Sequence, residues 1–247
     1  MLTVNAASGF GSGGGPSYAC DAVVFDGSND YGVISGAFSG PPADTKLHTT
    51  SFWIKLNGDG STYRIFSHST GGHGFFQKTS SNKMQFSLYS PSDVDVLDVY
   101  SSSDWVAADG WTHFLIAIDS DDDWYMYKNG VLDKGTETQF ASGAEYDLNR
   151  NKETFASSQS AGSQLLNADM ADVYVTNEFV NDVGKFAKGG KPIDLGSDGS
   201  LPSGTAPIVF LHVDEDETAN NFFTNAGSGG NYTLTGALTT ASTSPTD

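Results

Sequence analysis

The sequence predicts an all-β sandwich of antiparallel sheets, on three observations. Residues Asp109 to Gly130, DGWTHFLIAIDSDDDWYMYKNG, hold two runs of period-two alternation joined by an acidic turn. The chain has 29 glycines and many Ser and Thr, with few long apolar stretches of period 3.6, a composition of short strands and turns rather than helical bundles. Its 247 residues suit one main domain of this class, since such sandwiches commonly run to about 200 to 250 residues.

Each element follows from local pattern. Residues 1–19 form a glycine-rich arm, the sandwich is expected over 20–238, and 239–247 form a Thr/Ser-rich tail. Such arms cannot bury enough apolar surface to fold alone and order only against a partner. In the first run of the hairpin, Phe114, Ile116 and Ile118 share one face and Trp111, His113, Leu115 and Ala117 the other, which suits a strand covered on both sides. Trp124 and Met126 then alternate with Tyr125 and Tyr127. Asp119 to Asp123 is a solvated turn, and Asn129-Gly130 is the strongest short hairpin signal before Val131 and Leu132. A short helix is expected from Asn181, its cap, to Lys188, with Val183, Phe186 and Ala187 as its apolar stripe and Gly189, Gly190 and Pro192 stopping it. APIVFLHVDEDE and GSGGNYTLTGALTT read as late strands of the same sandwich.

A strand opening on tryptophan, a buried run ending in aspartate, an acidic turn, then an aromatic strand and Asn-Gly: this succession resembles the laminin G-like group of the concanavalin A-like lectin and glucanase superfamily. VVFDGSNDYGVI (Val23 to Ile34) is similar to its FDG-x-x-DY strand, TTSFWIKLNGDG (Thr49 to Gly60) to its S-F-W strand, and MADVYVTNEFVNDV (Met170 to Val183) to its closing strand and short helix. The resemblance covers residues 20 to 185 and implies a concanavalin A-like jelly roll, not a reaction. It also implies that the late strands from Ile208 stand in permuted order, because many members carry such strands before the FDG strand.

The net charge of −18 repels polyanions, so nucleic acid and anionic membranes are poor partners. Cys20 stands alone, which leaves no intramolecular disulfide and reads as a small buried hydrophobe. The N-terminal residues carry no signal-peptide pattern, and no stretch approaches the ~18 apolar residues of a membrane span. With the glycine arm and Thr/Ser-rich tail, this is similar to structural proteins of tailed bacteriophages. That similarity implies a chain made in the host cytoplasm and placed on the virion surface as a decoration, fibre or tail-associated protein, contacting other virion subunits or itself through its terminal arms.

Catalytic patterns fail one by one. Glucanases of the superfamily need E-x-D-x-x-E so that carboxylates flank the scissile bond; the nearest acidic strand, with Glu215 and Glu217, has Asn220 where a third carboxylate would stand. Gly9, Gly11 and Gly14 match G-x-G-x-x-G outside any βαβ context. Asp119, Asp121 and Asp123 imitate an EF-hand opening but meet Trp124 where glycine is required. The five histidines lack HExxH spacing. The expectation is a non-enzyme, with a glycosidase as the remotest alternative.

Two binding expectations remain. The resemblance implies a structural Ca²⁺ to which Asp26 and Asp172 could contribute hard oxygens; otherwise Asp26 caps its own turn and Asp172 faces water. A carbohydrate-binding lectin that recognises cell-surface glycans is the alternative to the virion role. Sugars stack on aromatic faces beside polar planar groups, and Tyr100 and Trp105 in YSSSDW, with Phe75 and Phe76 in GGHGFFQK, are the residues nominated; otherwise they close the core rim.

Overall fold

The computed structural model describes residues 18–39, 44–68, 74–148, 150, 152–158, 162–214 and 217–247. The arm over 1–17, with Gly9, Gly11 and Gly14, lies outside the described residues, as do His73 and Glu215. Among the described residues the strands run β1 (Val23–Asp26), β2 (Tyr31–Ile34), β3 (Asp44–Thr45), β4 (Leu47–Leu56), β5 (Tyr63–His68), β6 (Phe75–Lys78), β7 (Met84–Tyr89), β8 (Asp95–Ser101), β9 (Thr112–Asp119) and β10 (Trp124–Lys128). They continue with β11 (Val131–Leu132), β12 (Lys134–Phe140), β13 (Tyr146–Asp147), β14 (Glu153–Phe155), β15 (Asn167–Thr176), β16 (Ala187–Lys188), β17 (Lys191–Pro192), β18 (Val209–Leu211), β19 (Thr233–Thr235) and β20 (Thr239–Thr240).

Two large antiparallel sheets face each other. The first has the order β11-β10-β9-β4-β15-β1-β20, with β18 also paired to β15; the second has the order β12-β8-β7-β6-β5-β14-β2-β19. β18 joins the first sheet, β19 the second and β20 the first, so the late strands complete the same sandwich.

The hairpin behaves as its pattern dictates. Phe114, Ile116 and Ile118 join the core between the sheets, where Phe114 stacks on Phe52 at 4.9 Å between ring centroids. Leu115, on the opposite face, packs with Tyr174, Val180, Phe186, Leu195 and Phe210. This outer cluster exists because the segment after β15 folds back over the first sheet and adds a third layer. Asn129 and Gly130 both take positive φ (48° and 78°), the backbone of a type I′ turn that matches the strands' right-handed twist.

The expected helix is a correction. Asn181–Lys188 contains only a single 3₁₀ turn, Val183–Lys185, followed by the two-stranded ribbon β16–β17. Asp182, not Asn181, caps it by accepting the Gly184 N–H, while Asn181 accepts the Tyr127 hydroxyl. Gly189 and Gly190, read as helix stops, sit at φ 62° and 78° and turn the ribbon instead. The apolar pair Val183 and Phe186 needs only one turn to reach the outer cluster, so nothing rewards a longer helix.

Residues 239–247 lie on the domain's own surface. β20 pairs with β1, Thr243 accepts hydrogen bonds from Trp111 Nε1 and Lys55 Nζ, and Lys191 Nζ donates to the Thr246 carbonyl oxygen at 2.5 Å.

Candidate functional site

The second sheet presents its odd–even alternation to two environments. Phe66, Phe76, Phe86, Leu97 and Val99 point inward, and Phe76 lies among Phe52, Phe66, Phe86 and Phe114 with centroids 4.7–5.7 Å away. The intervening residues, Arg64, Phe75, Gln77, Gln85, Asp98 and Tyr100, point to the outer face. Strand pairing sets them in rows: Arg64, Gln77, Gln85 and Tyr100 form one, and Phe75, Ser87 and Asp98 the next.

Hydrogen bonds tie this outer face into a planar array. Gln77 Nε2 donates to Gln85 Oε1 at 2.6 Å, Gln85 Nε2 donates to Asp98 Oδ1 at 2.7 Å, and the Tyr100 hydroxyl donates to Asp98 Oδ2 at 3.4 Å. The Arg64 guanidinium lies 4.2 Å from the Phe75 ring centroid and donates to Gln164. Tyr89 and Asp95 extend the array: burial, then the charges of Asp95 and Asp98, raise the Tyr89 pKa, and burial, then Asp98, raises that of Asp95. Two half-exposed aromatic rings thus flank amides and carboxylates on one rigid surface.

Of the nominated aromatics, the structure brings Phe75 and Tyr100 together on this face and sends the other two inside. Phe76 is fully buried, and Trp105 is 1% exposed with its indole N–H donated to Asp133. Both close the core and offer no face to a ligand. Gln77, Gln85 and Asp98 were missed, although the alternation of QFSLY and DVY would have found them.

The first sheet carries a different feature. One edge of β15 is paired by β4 at Ala168 to Ala171 and again at Tyr174 to Thr176, while β1 and β18 share the other edge, β1 at Asn167 to Met170 and β18 at Val173 to Val175. Between them the β4 ladder breaks and Asp172 takes φ 48°. Its carboxyl is 3% exposed and accepts hydrogen bonds from the Tyr18 hydroxyl at 2.9 Å and from the Cys20 thiol. Burial raises the Asp172 pKa to about 7. Where the two strands diverge, a cleft of about 550 Å³ opens, lined by Tyr18, Asp194, Phe210, His212, Asp214 and Glu217 among others.

Asp26 and Asp172 do not meet. Asp26 pairs with Asn167, five residues along β15 from Asp172, or roughly 16 Å at strand rise, and closes its own turn by accepting the Ser28 N–H. The two therefore do not fit one calcium ion, and among the described residues no group of three His, Cys, Asp or Glu is arranged to hold a metal. The acidic turn is tied by ion pairs, Asp121 to Lys46 and Asp123 to Lys134. His48 and His113 are buried beside Thr50 and Ser51, and burial lowers both pKa values to about 3, so they serve as neutral core groups. His68 pairs with Glu153 between the sheets. Among the described residues no helix is long and apolar enough to cross a membrane.

Comparison with known proteins agrees with this architecture. A structure from Bacteroides ovatus, described as a "putative carbohydrate binding protein", matches with a TM-score of 0.64 at 12% identity over 92% of this chain; the chain spans 61% of that protein's length. A heptameric SAP-like pentraxin from Limulus polyphemus gives a TM-score of 0.47 at 14% identity, over 66% of this chain and 78% of that one. The binding domain of botulinum neurotoxin serotype G gives 0.44 at 11% identity, over 66% and 49%. A search of curated protein sequences found no match. The family profile described as concanavalin A-like lectin/glucanases superfamily matches residues 26–182, more than half of the sequence, and the chain belongs to that superfamily through its laminin G-like domain.

Proposed function

We propose that the chain is a non-catalytic carbohydrate-binding module and that the outer face of β5 to β8 is its recognition surface. The observation that carries this reading is the array itself: Phe75 and Tyr100 present half-buried rings on either side of Gln77, Gln85 and Asp98. C–H faces of a sugar stack on the rings, while its hydroxyls exchange hydrogen bonds with the amides and carboxylate. The array is pre-organised by its own hydrogen bonds, so little side-chain entropy is lost on binding. The lectin-like fold and the description of the Bacteroides structure support the same class.

A glycan array probed with the intact protein, with Tyr100→Ala and with Asp98→Ala tests the proposal. Specific binding that falls at least tenfold in both variants is expected, on the order of 1.4 kcal/mol each. Binding unchanged by either variant refutes the surface, and release of reducing sugar from a bound glycan refutes the non-catalytic reading.

A structural role on a bacteriophage particle is the second reading. Val131 and Leu132, 70% and 55% exposed on the short edge strand β11, are apolar surface that a neighbouring subunit would cover. Mass spectrometry of purified particles decides it: recovery of the chain with the particles supports the role, and recovery in the free fraction alone refutes it.

A further inference from the structure

Resting on the glycan reading above, we propose that the outer face of β5 to β8 takes the interior of a linear, uncharged, equatorially linked glycan laid along β7, and not a terminal sugar or an anionic chain. Strand register supplies the length. Gln85, Ser87 and Tyr89, the outward residues of β7, stand in three successive rows, each roughly 6.6 Å beyond the last at strand rise. Tyr100 lies opposite Gln85 in the first row, Phe75 opposite Ser87 in the second, and Tyr89 opposite Asp95 in the third. Each row therefore carries one aromatic ring beside a planar polar group: the Gln77 and Gln85 amides, then Asp98, then Asp95. The rows cover roughly 13 Å of β7, so a ligand must be several sugar residues long to meet all of them.

The relief of the face supplies the binding mode. Ser87 is 2% exposed and Gln85 8%, although both lie on the outward side. The side chains around them close above the middle of the sheet and leave a platform instead of a pit. A pit encloses a chain end, whereas a platform meets a length of chain through the C–H faces of its rings. An equatorially linked chain holds its rings in one extended ribbon that can follow the three rows, while an axially linked chain curls away from the strand axis.

Charge supplies the class. Asp98 accepts Gln85 Nε2 on one oxygen and the Tyr100 hydroxyl on the other, and each oxygen keeps a lone pair for a sugar hydroxyl. Arg64 is 9% exposed, lies 4.2 Å from the Phe75 ring centroid and donates to Gln164, so it backs the ring and is not held out to an anion. On a chain of net charge −18, with Asp95 and Asp98 on this face, uronate, sulfate and phosphate groups are repelled and hydroxyls are welcomed.

NMR titration of the full chain tests this with β-1,4-linked oligomers of glucose and of mannose, one to six residues long. Each series is paired with its uronate counterpart, β-1,4-linked glucuronate or mannuronate, and α-1,4-linked glucose oligomers supply the axial linkage. In at least one neutral β-1,4 series, affinity should rise about tenfold or more from one residue to three and level off beyond four. Its uronate counterpart should bind about tenfold more weakly or worse. Tyr89→Ala removes the third ring and should cut the rise from one residue to three to less than threefold; Tyr89→Leu, which keeps apolar bulk without a ring, gives the same reading should the alanine variant unfold. A monosaccharide bound as tightly as the trisaccharide, preference for the α-1,4 series, equal binding of neutral and uronate oligomers, or an undiminished rise in the Tyr89 variants overturns the proposal. Failure of both neutral β-1,4 series, while the glycan array shows a ligand that depends on Tyr100 and Asp98, overturns the chain class and leaves the face standing. Loss of that dependence on the array removes the face itself, so the two failures are told apart.

Discussion

Replacing Asp172 by Asn should convert a pH-dependent cost into a constant. The substitution keeps the shape, keeps an oxygen to accept the Tyr18 hydroxyl, and suits φ 48°, since Asn tolerates the left-handed region. Burial raises the Asp172 pKa from 3.8 to about 7. The charges of Asp194 and Asp214 push the same way, while hydrogen bonds from Tyr18 and Cys20 oppose it. In the unfolded chain the carboxyl loses its proton near pH 4, while the folded chain keeps it to about pH 7. The unfolded state binds fewer protons across that window, so this group lowers stability as pH rises from about 4 to about 7, with no further change above. Three units at about 1.4 kcal/mol each set an upper bound of about 4 kcal/mol, and relaxation with water entry reduces it to roughly 2 kcal/mol. Urea unfolding followed by tryptophan fluorescence at pH 4.5, 6 and 8 measures it. The stability of Asp172→Asn relative to the parent should increase by about 2 kcal/mol between pH 4.5 and 8. A difference that stays flat over this range, or grows toward acid, refutes the reasoning.

The adjacent residues Phe75 and Phe76 should separate function from stability. Phe76→Ala should cost about 3–5 kcal/mol in urea unfolding because it empties a fully buried site among four aromatic rings, whereas Phe75→Ala should cost about 1 kcal/mol and reduce glycan binding. Asp133 accepts hydrogen bonds from Ser102, Ser103 and Trp105, which outweigh its burial and hold its pKa below the usual value. Asp133→Asn should therefore destabilise by about 1–3 kcal/mol at pH 7, with the difference shrinking as pH falls below about 4; a difference independent of pH between 7 and 3 counts against it. Gly130→Ala places a side chain at φ 78° and should lower the thermal midpoint, at a cost on the order of 1 kcal/mol.

The hairpin was legible because both rules that govern it are local. Alternation at Phe114, Ile116 and Ile118 assigns the core face, and Asn129-Gly130 supplies the positive φ that a two-residue turn demands. The helix after β15 was not legible, because Val183 and Phe186 carry a helical spacing that a single 3₁₀ turn satisfies equally well. Of the two readings the sequence allows for Trp105, a ligand face or closing the core rim, the structure takes the second. Its polar surroundings, YSSSD, suggest a surface loop, yet those serines serve Asp133, which in turn anchors the indole inside. Phe75 and Tyr100 could be nominated singly, but their places in adjacent rows of one face depend on the register of three strands.

The fork illustrates a limit that pattern cannot cross. Asp172 sits in MADVYVT, where strict alternation would place it beside Met170 and Tyr174 on one face. The break comes instead from chain topology. β1 and β18, far apart in sequence, dock end to end on one edge of β15, and two strands cannot both continue the ladder through Ala171 and Asp172. The β4 register slips at the same place, the backbone turns through a positive φ, and the carboxyl swings to Tyr18 and Cys20. The two departing chains bond each other instead, the Asp21 N–H donating to the Val213 carbonyl oxygen at 3.0 Å, and the cleft opens beside that contact. The late position of β18 in the chain thus has a chemical consequence: a continuous strand along that edge would pair β15 through residues 167–176, leave Asp172 no room to turn, and close the cleft in which Asp194, Asp214 and Glu217 now converge.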